Sequence, residues 1–168
     1  MRKTYVVLVL LLFSVKLTFA QDEMFKSLFI YNFTKNIEWP GEYKTGNFII
    51  GVLGNSPIVN ELEKITKLKK VGNQTIEVKQ LSDLSGLGKC HLLYITPSKS
   101  GMLQEAMAKS EGKPLVIVCD KPGMAKDGAG LNFVKVDGKQ KFEINEAALK
   151  KNGLSFTSYL STLGIVVN

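Results

Sequence analysis

The chain has 168 residues, 22 Lys+Arg against 15 Asp+Glu, a formal charge of +7 and 45% apolar residues. That suits one domain with a sizeable core. Arg2 is the only arginine, so nothing beyond it offers a guanidinium for bidentate reading of guanine or clamping of phosphate, and nucleic-acid binding is disfavoured.

Residues 1–20 read as a secretory signal peptide. Arg2 and Lys3 precede the apolar run Tyr5 to Val15, and Leu17-Thr18-Phe19-Ala20 supplies the small residues of a cleavage site. The run is shorter than the roughly 20 apolar residues of a spanning helix and is broken by Lys16. Removal leaves 148 residues and takes +3 with it, so the exported domain, residues 21–168, carries +4. No later stretch approaches a membrane span, so the exported chain is not expected to insert.

Residues 24 to 40, MFKSLFIYNFTKNIEWP, read as a helix that is apolar on too many sides for a surface, carrying Met24, Phe25, Leu28, Phe29, Ile30, Tyr31, Phe33 and Ile37. Burial is expected. Pro40 should stop it, leaving Trp39 as a core plug or, if exposed, an aromatic anchor. The run Asn47 to Leu53 looks like a strand covered on both faces. Gly54-Asn55-Ser56-Pro57 then gives turn, cap and first helical residue. The helix that follows should turn Ile58, Leu62, Ile65 and Leu68 inward.

Thr75 to Lys79 reads as a half-exposed strand, residues 81–89 as a short connector with room for one helical turn, and Cys90 to Ile95 as a buried strand. A helix from Pro97 to about Ser110, closed by Gly112, leads into Pro114 to Cys119, the most apolar strand and therefore expected at the centre. After the glycine-rich loop Lys121 to Gly130, Leu131 to Val136 and Lys141 to Ile144 should form a hairpin across Asp137-Gly138. Asn145 caps a short helix to Lys151, and Ser155 to about Val166 reads as a final helix with Phe156, Tyr159, Leu160 and Leu163 inward. The expected fold is α/β: a single-domain sandwich with a mostly parallel mixed sheet, a C-terminal hairpin and helices on both faces.

Few residues offer chemistry. His91 is the only histidine, and strand alternation points it away from Cys90, so a nucleophile and base pair is not expected. One histidine and two separated thiols do not make a metal site. Cys90 opens one strand and Cys119 ends the next parallel one, on the order of 15 Å apart at ~3.3 Å per residue. A disulfide requires Cα atoms within about 7 Å, so none is expected between them. Gly51 to Gly54 lacks the G-x-G-x-x-G pattern, and no cofactor is expected. The remaining candidate is the outward pair Lys141 and Glu143 beside Asn132 and Trp39, a small polar cleft for a zwitterionic ligand or a partner loop.

Phe29-Ile30-Tyr31-Asn32-Phe33 with Trp39-Pro40, the strand end Gly51-Val52-Leu53-Gly54, the Cys90-His91 opening, Gly130-Leu131-Asn132-Phe133, and Lys141-Phe142-Glu143-Ile144-Asn145 followed by Gly153-Leu154 together resemble the YfiR/HmsC-like family of bacterial periplasmic proteins. That resemblance implies a periplasmic, non-enzymatic regulator. It would bind and repress the periplasmic sensor domain of an inner-membrane signalling protein, most plausibly a diguanylate cyclase, and so lower cyclic di-GMP and biofilm formation. Redox control by disulfides in that family is not matched by these cysteines. A small-solute-binding sensor module is the alternative, and a homodimer stays open.

Overall fold

The computed structural model describes residues 21–167; the expected signal peptide lies outside them. Helix α1 occupies residues 21–36. It is followed by β1 (Ile37–Glu38), β2 (Phe48–Leu53), α2 (Ile58–Thr66), β3 (Lys70–Val71), β4 (Gln74–Leu81), β5 (Leu92–Ile95), α3 (Leu103–Ser110) and β6 (Val116–Cys119). The chain finishes with β7 (Leu131–Val136), β8 (Lys139–Asn145), α4 (Glu146–Lys151), β9 (Ser155–Phe156), α5 (Ser158–Leu163) and β10 (Ile165–Val167). Eight strands form one sheet in the order β10-β8-β7-β6-β5-β2-β4-β3, and β1 pairs with β9 in a small second sheet. The main sheet is mostly parallel, with antiparallel pairs only at β7–β8 and β3–β4. This is the expected α/β single domain, with β6 in the middle of the order.

Two cores lie on the two faces of the sheet. On the first, Ile50, Val52, Leu92, Tyr94, Val118, Phe133 and Phe142 meet Ile30 and Phe33 of α1 and Ile58 and Leu62 of α2. On the second, Leu53, Leu93, Ile95, Ile117 and Cys119 meet Leu103 and Ala106 of α3 together with Leu84 and Leu87 of a short 3-10 turn. Successive strand residues point to opposite faces, so a continuous apolar run such as Val116–Cys119 feeds both cores at once. The β7–β8 hairpin turns through Asp137 (φ 50) and Gly138 (φ 73), the positive backbone angles that a tight two-residue turn requires. Asn145 caps α4 by accepting from the Ala148 N–H at 2.9 Å.

Helix α1 departs from the expectation in two ways. It ends at residue 36, well short of Pro40, because the C-terminal segment captures the chain there. Ile37 and Glu38 pair with Phe156 and Ser155, the Thr157 N–H donates to the Asn36 carbonyl at 2.9 Å, and the Thr157 hydroxyl donates to Asn36 Oδ1 at 2.9 Å. Nor is it buried all round. Its inner stripe is Lys26, Ser27, Ile30, Phe33 and Thr34, while Met24, Phe25 and Leu28 are 41–43% exposed. Ser27 and Thr34 can sit inward because each hydroxyl donates to a carbonyl one turn back, Met24 O and Tyr31 O, both at 2.7 Å.

The final helix and the second one are also shorter than expected. The stretch read as one helix over 155–166 divides into β9, α5 and β10, because Gly164 runs extended (φ −104, ψ 175) and the β-branched Ile165-Val166-Val167 pair in parallel with Glu143, Ile144 and Asn145. A side chain at Gly164 would press into the Phe142 ring and Ile144. Tyr159, expected inward, is exposed, and of α5 only Leu160 is fully buried. Helix α2 closes at Thr66, which leaves Leu68, expected inward, 84% exposed.

The packing of α1 makes a direct prediction. Phe33, fully buried between Phe133 and Phe142, should cost about 3–5 kcal/mol when replaced by alanine. Leu28→Ala, on the outer face of the same helix, should cost under about 1 kcal/mol. Urea unfolding of the two variants measures the contrast.

Candidate functional site

In doubly wound sheets a ligand crevice opens at the carboxyl ends of the strands, where successive crossovers leave on opposite faces. Here that point lies between β2, which leads to α2 on the first face, and β5, which leads to α3 on the second. The crevice is filled by the chain itself. The Thr96 hydroxyl donates to the Leu53 carbonyl at 2.9 Å, and Gly54 (φ +99) lies so close that a Cβ there would collide with Thr96 Oγ1 and the Lys99 stem.

Over this edge sits the first turn of α1. Lys26 Nζ donates to Asp120 Oδ2 at 2.7 Å and to Glu23 Oε1 at 3.3 Å, the Tyr94 hydroxyl donates to the same Asp120 oxygen at 2.8 Å, and the Ser56 hydroxyl donates to Glu23 Oε2 at 3.3 Å. Burial pulls the Lys26 ammonium down, but the Asp120 hydrogen bond and charge, helped by Glu23, outweigh it and hold its pKa above the ordinary lysine value. Burial and the Asp120 charge push the Tyr94 hydroxyl far above its usual range. The cluster is therefore a charge-assisted clamp that binds α1 to the sheet. The sequence expectations do not include this cluster; the signals for it are a lysine among the apolar residues of α1 and an aspartate directly after the most buried strand.

Asn132, Glu143 and Lys141 are only partly brought together. Asn132 and Glu143 are cross-strand partners, and Asn132 Nδ2 donates to Glu143 Oε2 at 2.9 Å. Asn132 is fully buried, and its Oδ1 also accepts from the Lys121 N–H at 3.4 Å. Lys141 lies opposite Val134, is exposed, and has no ion-pair partner among the described residues. Glu143 therefore spends its carboxylate on a buried amide, and no Lys141–Glu143 pair forms.

Trp39 is not beside them. It lies at the opposite edge of the sheet, where β2 begins, edge-on to Phe48 at 5.0 Å and 88° and 6.3 Å from the His91 ring. His91 stacks on Phe48 at 4.3 Å. Its Nδ1 accepts from the Ile49 N–H at 3.0 Å, which places the proton on Nε2, and Nε2 donates to the Tyr43 carbonyl at 2.8 Å. Burial, only partly offset by the Tyr43 carbonyl, lowers its pKa and keeps the ring neutral. Trp39 is 6% exposed and its buried Nε1–H has no hydrogen-bond partner among the described residues, a condition that costs about 1–3 kcal/mol. It lines a cleft of about 550 Å³ with Lys35, Lys44, Phe48, Lys70 and Gln74.

The two cysteines are buried free thiols on the second face. Cys119 ends β6, whereas Cys90 precedes β5 at the other edge. Burial raises their pKa values to about 11 for Cys90 and about 12 for Cys119, so neither is a thiolate near neutrality. Among the described residues no group of three or more His, Cys, Asp or Glu could hold a metal ion, and no helix is long and apolar enough to cross a membrane.

Residues 23–164 match the model of the YfiR/HmsC-like family, and the chain belongs to that family. No curated protein matches it.

Two outcomes test this geometry. The unfolded state takes up a proton on His91 near pH 6.5 while the folded state resists until lower pH, so stability is full above about 6.5 and falls as the pH drops below it. Urea midpoints from pH 8 to pH 5 should show that fall, and His91→Gln should flatten it. Asp120→Ala, which leaves Lys26 with only Glu23, should cost about 3 kcal/mol, the low end for breaking a buried pair, measured by the same unfolding at pH 7.

Proposed function

We propose that this member of the YfiR/HmsC-like family is a non-enzymatic periplasmic regulator, which binds the periplasmic sensor domain of an inner-membrane signalling protein and holds its output down. A diguanylate cyclase is the receptor the family points to, with cyclic di-GMP and biofilm formation as the controlled output. The observation that carries the reading is the family match across residues 23–164. Repression then needs only that the protein bind the inactive receptor more tightly than the active one.

The chemistry of the domain supports a docking role. Both ring nitrogens of His91 are engaged, both thiols are held protonated on the far face, and the crevice where this architecture would seat a substrate is occupied by α1. The surface offers what a partner needs. Met24, Phe25 and Leu28 lie exposed along the outer face of α1, and Val136 is exposed in the hairpin whose Lys135 is paired with Asp22 of the same helix. Exposed apolar side chains rimmed by charge are the composition of a protein contact. Their rigid backing, through Lys26 and Asp120, limits the entropy lost on association.

The receptor's periplasmic domain, immobilised, should capture the protein. Phe25→Asp combined with Leu28→Asp should weaken capture by at least tenfold while shifting the thermal midpoint little, because both side chains already face water. Absence of capture in both reducing and oxidising buffer rejects the cyclase as receptor.

A further inference from the structure

Cleavage after Thr18-Phe19-Ala20 makes Gln21 the first residue of the exported chain, and a terminal glutamine carries an amide within one five-membered ring of its own α-amine. We propose that Gln21 closes to a pyroglutamyl lactam, so that the exported protein begins with an uncharged ring in place of an ammonium. This inference rests on the export half of the function proposed above.

The α-amine nitrogen of Gln21 attacks its own side-chain carbonyl carbon, Cδ. A new C–N bond forms there, the bond from Cδ to Nε2 breaks, the amine proton passes to the departing nitrogen, and ammonia leaves. Nothing is oxidised or reduced, and no co-reactant is consumed. Both reacting atoms belong to one residue, so the step is intramolecular and gains from proximity. Ordinary α-amines titrate at roughly 7.7–8.0, which leaves a share of free nucleophile at neutral pH. Asparagine in the same place would need a strained four-membered ring.

The fold disfavours a positive charge at this position. Helix α1 begins at residue 21, so cleavage puts the new terminal nitrogen at the positive end of the helix dipole. The two carboxylates of that turn would be its natural counter-ions, and both are already committed. Asp22 pairs with Lys135, while Glu23 meets Lys26 Nζ at 3.3 Å and accepts from the Ser56 hydroxyl at 3.3 Å. Lys26 and Lys135 thus add two cations around the same turn. An ammonium is opposed there by the dipole, whereas the free amine and the lactam are not. Gln21 is exposed, so its side chain has room to fold back onto the nitrogen. The lactam keeps one N–H, which takes its place among the unpaired donors that open any helix. It also withholds the α-amine that aminopeptidases grip, and so guards the turn that carries Lys26 and its 2.7 Å bond to Asp120.

The full chain, residues 1–20 included, is expressed in a Gram-negative host and recovered from the periplasm. Its intact mass is read without digestion, at recovery and again after prolonged incubation at neutral pH. The mass should be that of residues 21–168 less one ammonia, about 17 Da, and stepwise terminal sequencing should be blocked. A lactam complete at recovery assigns closure to a catalyst of the export compartment, one that grows during incubation assigns it to the chain alone, and either supports the inference. Gln21→Asn keeps a terminal amide but shortens it by one methylene, and should retain its ammonia and give a readable first residue. A chain that begins at Gln21 and keeps its ammonia throughout overturns the lactam and leaves the export reading standing. A chain that begins elsewhere, or retains residues 1–20, overturns the export reading and the lactam with it.

Discussion

The seating of α1 on the first face of the sheet is the contact on which the other features of this protein depend. Phe29 and Phe33 interlock with Phe133 and Phe142 at ring separations of 4.8–6.3 Å, and Ile30 completes the buried stripe. Each fully buried aromatic contributes roughly 1.5–3 kcal/mol from desolvation alone. The segment from α1 through Trp39 runs from Asp120, just past the end of β6, to Phe48 at the start of β2, so it crosses the sheet. The Lys26–Asp120 clamp holds one end and the Asn36–Thr157 bonds hold the other. Apolar packing supplies the energy, and the polar contacts determine where along the sheet it is delivered.

That placement decides what the two edges of the sheet can do. At the carboxyl edge, where this architecture usually receives a ligand, the Lys26 ammonium already satisfies Asp120, and Glu23 already satisfies Ser56. The same helix turns Met24, Phe25 and Leu28 outward, so the edge that is closed to a small molecule presents an apolar surface to a large one. At the amino edge the chain leaves α1 through β1 and brings Trp39 down onto Phe48 and His91. There the aromatic ring is well packed and its N–H has no partner among the described residues. One helix, by its length and register, thus sets what each end of the sheet exposes and what it buries.

Much of the architecture was legible because its signals are local. The apolar runs of β2, β5 and β6, the Asp137-Gly138 hairpin and the Asn145 cap each follow from side-chain chemistry within a few residues. Strand alternation likewise places Cys90 and His91 on different faces. The failures share a cause. The end of α1 was misplaced because a proline at position 40 is a local stop, whereas the actual stop is a pairing with residues more than a hundred positions away. The last helix was drawn too long because Gly164 has helical neighbours in sequence but a Phe142 ring beside it in space. The site residues divided similarly: Asn132 and Glu143 met because they share a hairpin, and Trp39 did not join them because its position depends on a helix crossing the sheet.

By itself, then, the amino-acid sequence determined the class of fold, the order of its layers, the family, and the scarcity of reactive groups, since these depend on composition and on periods of two and 3.6 residues. Tertiary structure alone decided that Lys26 would be buried against Asp120, that His91 would be locked neutral, and that Trp39 would be packed edge-on to Phe48. Those outcomes require contacts between residues tens of positions apart, whose proximity no short-range pattern encodes, and a charge or a donor acquires its chemical meaning only from what it is folded against.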